Sequence, residues 1–188
     1  MKHVLLRGPL LSRSGYGVHA RQVLRYLLQN PNIEVKTQIT PWGIAPWCVD
    51  HEADNGLIGE ALSRSIDSPR SDFDVSVQVQ LPNEWDASLA KKNVGVTAAV
   101  ETDFSNPSWA SVHCSKMDLV IVPSEHSKQG FVSALYEKMQ QMPDGSQQKV
   151  GELKLQKPID TLFEGVDENI FKPIDDSSLD LVDDIKED

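Results

Sequence analysis

The chain has 188 residues, of which 39% are hydrophobic, and this is enough for one sizeable core but not for two full domains. Its formal net charge is −10 and its basic residues form no cluster, so binding to nucleic acid is not expected. No apolar run reaches the roughly 18 residues of a membrane-spanning helix, and the first residues have the pattern of a strand rather than of a signal peptide. The two cysteines lack C-x-x-C spacing, so we predict reduced thiols in a cytoplasmic protein without a transmembrane segment.

The first third of the chain alternates strand and helix patterns. The short apolar run His3–Gly8 predicts a buried first strand, and the polar loop Pro9–Gly17 leads into an amphipathic helix that stops near Asn30. Alternating residues over Ile33–Ile39 predict a half-covered strand, and the stretch Pro41–Trp47 then has the prolines and glycine of a loop. This order predicts a strand, a glycine-containing loop, a helix and a second strand.

The middle of the chain continues the alternation. Weak helical periodicity over Gly56–Ile66 predicts a helix, and the segments Asp74–Leu81 and Asn93–Val100 predict two strands. Asn106 and the proline after it form a helix start signal, so we expect a helix that ends near Met117.

The last part contains the clearest strand. The run Asp118–Pro123 predicts a buried strand, and Ser124 directly after it can cap the next helix. The polar stretch Tyr136–Gln148 predicts a surface loop or a frayed helix end, and Leu153–Phe163 predicts a final strand. The tail Asp175–Asp188 has seven acidic residues against one lysine, which is typical of a solvated segment, although its apolar residues could form a helical turn against the body.

Strands that alternate with helices predict an α/β fold, namely a Rossmann-like, doubly wound, mainly parallel sheet with helices on both faces. We expect residues 1–173 to form this domain and residues 174–188 to be an acidic tail or a truncated interdomain linker. The loops that follow parallel strands gather at one edge of the sheet, where such folds bind ligands. Candidate functional residues are therefore expected in the loops that follow the strands.

The first candidate is the small-residue loop between the first strand and the first helix. Gly15, Tyr16 and Gly17 stand where the backbone can approach a ligand closely, and the free N–H groups of the following helix favour a phosphate. The spacing does not complete the dinucleotide-binding pattern G-x-G-x-x-G. An ordinary tight turn is the alternative interpretation.

The second candidate follows the strand Asn93–Val100. Glu101, Thr102 and Asp103 stand at a predicted strand end, where they can contact a hydroxylated substrate or act as acid and base. Glu101 is the candidate catalytic residue because it is the first of the three. The alternative is that these side chains only cap the loop and keep it soluble.

The third candidate is the start of the helix after Asp118–Pro123. Ser124 can accept hydrogen bonds from the first backbone N–H groups, and His126 lies in the first turn, where the helix dipole disfavours a protonated ring. Both are candidate ligand contacts, with a simple helix start as the alternative. The five histidines show no metal-ligand spacing, so no bound metal is expected.

Four landmarks recur in order along the chain. They are a glycine loop after the first strand, a strand end with Pro and Trp, a strand that closes in Asp-x-x-x-x-Pro-Ser, and Gly-Val-Asp with Phe-x-Pro. The residues that carry them are Gly15, Gly17, Glu101, Pro107, Trp109, Asp118, Pro123, Ser124, Gly165, Val166, Asp167, Phe171 and Pro173. Together they resemble the N-terminal domain of GT-B glycosyltransferases of the family-4 type.

The resemblance implies transfer of a sugar from a nucleotide-sugar donor to a sugar, lipid or glycan acceptor that this domain largely binds. It implies that Gly15 and Gly17 lie near the donor phosphates or the acceptor, and that Glu101 faces the acceptor in the cleft. Many relatives carry a histidine near that position, whereas glutamate is typical of a subgroup with the Glu, Pro and Trp pattern. Such enzymes usually need no metal, so no cofactor is expected beside the nucleotide-sugar substrate.

In that family the segment Leu162–Pro173 leads into a second domain that holds most of the donor, and here only Ile174–Asp188 follow it. We therefore expect little or no transferase activity from this chain alone, and a second domain or chain as its partner. One alternative is a degenerate Rossmann-like binding module without catalysis, whose four tryptophans are candidate partner contacts. Another is a nicotinamide-dependent oxidoreductase.

Overall fold

The protein has an α/β fold, in a computed structural model that describes residues 1–67, 72–98, 104–166, 168 and 171–173. The strands are Lys2–Gly8 (β1), Ile33–Ile39 (β2), Phe73–Val79 (β3), Ala90–Val96 (β4), Leu119–Val122 (β5), Leu135–Gln141 (β6), Gln147–Lys154 (β7) and Ile159–Thr161 (β8). The α-helices are Gly15–Leu28 (α1), Leu57–Ser63 (α2) and Glu125–Val132 (α3).

Six of the strands form one parallel sheet in the order β2-β1-β3-β4-β5-β8, and β6 pairs with β7 in a separate antiparallel hairpin. This parallel sheet with its crossover helices is consistent with the predicted Rossmann-like arrangement. No helix in the described ranges is long and apolar enough to cross a membrane.

Hydrophobic side chains pack on both faces of the sheet, because consecutive residues of a strand point to opposite sides. In β5 the side chains of Val120 and Val122 pack in one cluster with Phe131 of α3. Ile121, which stands between them, packs instead against the cluster that contains Leu24 of α1. Helices α1 and α3 therefore cover opposite faces, as predicted.

The helix predicted from Pro107 to Met117 is confirmed as a helical segment over residues 107–116, but it is not a regular α-helix. The structure has a π-helical segment over Trp109–His113 and a single 3₁₀ turn over Cys114–Lys116. Serines, a valine and a histidine dominate this stretch, and such residues are weak helix formers because their side chains compete for backbone groups or lose rotamer freedom. The start signal is confirmed, since Asn106 accepts hydrogen bonds from the backbone and the side chain of Ser108.

The predicted surface loop over Tyr136–Gln148 is also wrong, because these residues belong to the hairpin of β6 and β7. Its turn is closed by Gly145 at a φ of 85° and by Asp144, which accepts two hydrogen bonds from Ser146. Most residues of both strands are exposed, so the hairpin lacks the alternating apolar pattern that usually predicts a strand. The predicted last strand, Leu153–Phe163, is reduced to the three residues of β8.

Candidate functional site

The parallel strands all end at one edge of the sheet, and open α/β sheets bind ligands beyond that edge. The chain goes from β1 outward to β2 and then crosses back to β3 on the other side of β1. The strand order therefore reverses between β1 and β3. In open α/β sheets the ligand crevice lies between the loops at such a reversal. Sequence patterns predicted the edge but not this position along it.

The loop between β1 and α1 is a tight, internally bonded turn. Ser14 caps α1, because its Oγ accepts a hydrogen bond of 3.1 Å from the backbone N–H of Gly17. A side chain is impossible at Gly17 without rearrangement, since a Cβ there would lie 2.1 Å from the carbonyl oxygen of Ser12. Gly15 is exposed, and a Cβ there would meet nothing within 4 Å. The turn therefore requires glycine at position 17, whereas Gly15 leaves open space at the start of the helix.

Tyr16 ties this loop to the end of β4. Its hydroxyl lies 2.9 Å from Oγ1 of Thr97 and accepts a hydrogen bond of 3.0 Å from the backbone of Ala98. Its ring stacks on the indole of Trp42 with a centroid distance of 4.1 Å. Tyr16, predicted as a ligand contact, therefore has a clear positioning role, and Trp42 from the loop after β2 joins the same edge.

Gln80 directly follows β3 at the crevice, and sequence patterns did not single it out. The residue is only 4% exposed, and its Oε1 has no hydrogen-bond partner in the described part of the chain. Its Nε2 lies 3.5 Å from Oγ1 of Thr40 after β2. A buried acceptor left unpaired costs about 1–3 kcal/mol, so Gln80 is a candidate acceptor for a ligand hydroxyl.

The start of α3 contains the two residues predicted there. Oγ of Ser124 accepts a hydrogen bond of 3.1 Å from the backbone of Ser127, which confirms Ser124 as the helix cap. The hydroxyl of Ser127 donates to the carbonyl of Ala98, which links the start of α3 to the end of β4. His126 is exposed and lines a cavity of about 410 Å³ together with Phe104 and other residues.

The wall of this cavity is mixed in character. Phe104 and Tyr136 give it aromatic surface, and Gln129 of α3 adds an amide. The hydroxyl of Tyr136 donates to the backbone carbonyl of Ser105, which fixes the chain beside the cavity. Its size lies within the range of about 300–1,000 Å³ that small-molecule sites usually have.

Glu101, Thr102 and Asp103 lie outside the described residues, so their predicted roles stay predictions. The chain on either side is described. Ala98 is bonded to both Tyr16 and Ser127, and Phe104 borders the cavity next to His126. These contacts place Ala98, just after β4, between the starts of α1 and α3.

Asp118, a landmark of the resemblance, lies at the opposite edge of the sheet, just before β5. Its carboxylate accepts hydrogen bonds of 2.8 Å from Nζ of Lys92 and from the backbone of Asn93. The bond from Lys92 lowers the pKa of the Asp118 carboxyl, so the group stays ionised. Asp118 therefore joins β5 to β4 and takes no part in the candidate site.

A buried histidine of α1 holds the segment that follows β8. His19 is 6% exposed, and its Nδ1 lies 2.9 Å from Oε1 of Glu164. Nε2 of Gln22 donates a hydrogen bond of 2.8 Å to the carbonyl of Gly165. Because β8 lies at the far side of the sheet, the chain returns across the carboxyl edge to reach α1. We call residues 162–166 the return segment.

We predict that His19 makes stability depend on pH. Burial lowers its pKa from 6.5, and this outweighs the opposing effect of Glu164. The folded chain thus binds a proton less readily than the unfolded chain, so the contribution of His19 is complete above pH 6.5 and declines as pH falls below it. Urea unfolding between pH 7.5 and pH 5 should show a smaller decline for His19→Gln than for the native chain. An equal decline in both proteins would contradict this prediction, and His3→Gln at an exposed position serves as the control.

Three comparisons with known proteins gave no match: no family model, no curated protein and no solved structure resembles the chain closely enough to place it. Within the described ranges, no group of three histidine, cysteine, aspartate or glutamate side chains is arranged to hold a metal ion. The candidate site is therefore defined by its geometry: the α1 loop, Gln80, the end of β4 and the start of α3.

Proposed function

We propose that this chain is the acceptor-side domain of a GT-B glycosyltransferase, which transfers a sugar from a nucleotide-sugar donor to a sugar, lipid or glycan acceptor. The observation that carries the proposal is the position of the return segment, which is the first part of the segment Leu162–Pro173. It is bonded to α1 by His19 and Gln22, beside the glycine loop and at the ligand-binding edge. A chain that continues from there starts next to the site it would complete.

Exposed apolar side chains of the segment Leu162–Pro173 support a second domain or chain that covers them. Leu162, Phe163, Val166 and Phe171 are each between 58% and 72% exposed. Large apolar side chains that are exposed close together along a chain are typical of an interaction surface. In the proposed function, the second domain covers this surface and supplies the contacts to the donor.

The described residues suggest how roles are divided. The first N–H groups of α1, beside the open space at Gly15, are suited to the negative charge of a phosphate. Gln80 can accept a hydrogen bond from a hydroxyl, and the cavity beside His126 is suited to the acceptor. Glu101 is proposed as the group that contacts the reacting hydroxyl, because it follows β4 between these two regions in the chain.

The test is a fusion at Pro173 to the donor-binding domain of a family-4-type glycosyltransferase. We expect the fusion to release nucleoside diphosphate from that domain's donor faster than the donor-binding domain alone, and the unfused chain to stay at background. Gly15→Val should lower the rate about tenfold or more, because a branched side chain would occupy the open space at the helix start. Gly151→Val in β7 is the matched control, since a Cβ there also meets nothing within 4 Å.

The outcomes separate the possibilities. A fusion that unfolds cooperatively but is no faster than the donor-binding domain contradicts the proposal. Transfer by the unfused chain at a rate above background contradicts the need for a second domain. The exposed side chains of Leu162, Phe163, Val166 and Phe171 also fit the alternative of a binding module. A stable complex with a second chain but no sugar transfer would favour that alternative.

A further inference from the structure

A second cavity, of about 340 Å³, lies at the outer edge of β2 and shares no lining residue with the cavity beside His126. Residues 64–66 pair with this edge, because Thr37 bonds to the backbone of both Arg64 and Ile66. The loop after β2 folds back onto the β1–α1 loop, where Ser12 and Trp47 form an isolated antiparallel β-bridge. The cavity lies where these two segments meet, and buried Leu11 lines it.

Trp47 gives this cavity an accessible aromatic wall. Of the four tryptophans, Trp85 is buried with its indole N–H bonded to the carbonyl of Gln78, and Trp42 stacks on Tyr16. Trp109 packs against the cluster around α3. Trp47 is the most exposed of the four, at 48%. An indole with an apolar face open to a cavity can stack on a flat apolar surface of a ligand.

The polar groups of the cavity are an amide, a hydroxyl and a carboxylate. Gln38 lines it, and an amide can both donate and accept a hydrogen bond. Ser65 adds a hydroxyl and Asp67 a carboxylate, and no described lining residue is basic.

We infer that this cavity is a binding site for a neutral saccharide ring, distinct from the proposed transfer site. A pyranose combines an apolar C–H face, which matches the indole of Trp47, with hydroxyl donors, which match the carboxylate of Asp67 and the amide of Gln38. A phosphate is disfavoured because the described wall has a carboxylate and no cation. An organic cation is disfavoured because a single ring does not form an aromatic cage.

The test uses the ¹H–¹⁵N spectrum of the whole chain, in which the four indole N–H groups give separate signals. We expect at least one of methyl α-D-glucopyranoside, methyl α-D-mannopyranoside and methyl β-D-galactopyranoside to shift the signals of Trp47 and of the Gln38 amide, with a Kd of about 1 mM. The indole of buried Trp85 should not move. Choline and inorganic phosphate are the competing probes.

Single substitutions test which residues bind the pyranoside. Trp47→Ala should weaken binding of the pyranoside about tenfold, because the stacking surface is lost, and Gln38→Leu about fivefold, because the amide is lost. Trp47→Phe should retain most of the affinity. It thereby distinguishes loss of the aromatic surface from a folding defect in the alanine variant. Tyr26→Ala, an exposed aromatic of α1, should change nothing.

Three results would overturn the inference: no pyranoside shifts Trp47, Trp47→Ala binds as tightly as the native chain, or choline or phosphate binds more tightly than every pyranoside. The readout is binding at Trp47 and not sugar transfer. A failure here therefore leaves the proposed function intact, and failure of the fusion experiment leaves this site intact.

Discussion

Replacement of Gly17 by alanine is expected to destabilise the protein by about 3 kcal/mol, near the upper end of the usual cost of overpacking. The added methyl group would lie 2.1 Å from the carbonyl oxygen of Ser12, so the backbone of the loop must move. That loop is held from several sides, because Arg21 also donates hydrogen bonds to the carbonyls of Leu10 and Ser12. Urea unfolding measures the effect as a lower midpoint with an unchanged slope.

Gly15→Ala is the matched control for this prediction. The two glycines stand two residues apart in the same loop, but a Cβ at position 15 meets nothing within 4 Å. We expect a change within about 0.5 kcal/mol, which is typical of surface substitutions. If the two variants lose the same stability, the close contact between Gly17 and Ser12 does not exist in solution.

Replacement of Trp85 by alanine is expected to cost about 3–5 kcal/mol, as is usual for truncation of a buried tryptophan. Its side chain packs with Val120 and Phe131, and its indole N–H donates a hydrogen bond of 3.1 Å to the carbonyl of Gln78. The ring lies directly over β4, where a Cβ at Gly95 would come within 2.6 Å of it. Loss of the ring would thus open a cavity beneath the loop after β3, which borders the crevice.

Trp47→Ala provides the comparison within the same residue type. Because Trp47 is 48% exposed, we expect it to cost less than about 1 kcal/mol. Thermal unfolding of the two variants at one pH compares them directly. Equal losses would show that Trp85 is not the buried anchor of the loop after β3.

The sequence predicts most strands of the parallel sheet well, because a buried strand has a short apolar run and a half-covered edge strand alternates apolar and polar residues. Segments such as Ile33–Ile39 and Asp118–Pro123 match β2 and β5 to within one or two residues. The β6–β7 hairpin could not be found this way, because most of its residues face solvent and carry no apolar alternation. Its turn residues, Asp144 and Gly145, are the signal that could have indicated it.

Sequence patterns predict the position of the candidate site more readily than the roles of its residues. The helix caps Ser14 and Ser124 act locally, and a serine before a helix is enough to predict one of them. The bonds of Tyr16 to Thr97 and of His19 to Glu164 join residues far apart in the chain. Such pairs depend on how the loops meet at the edge of the sheet, which local patterns do not encode.

The central claim is that the carboxyl edge of the sheet, between the start of α1 and the start of α3, binds the substrates of a glycosyltransferase. The most direct measurement is a ¹H–¹⁵N titration of the whole chain with UDP-glucose and with GDP-mannose. We predict that at least one of them shifts the backbone signals of Gly15, Ser124 and their neighbours, while the hairpin turn at residues 142–146, away from the cavity beside His126, is unchanged. Shifts confined to that turn or to α2, or no shift with either compound at millimolar concentration, would contradict the claim.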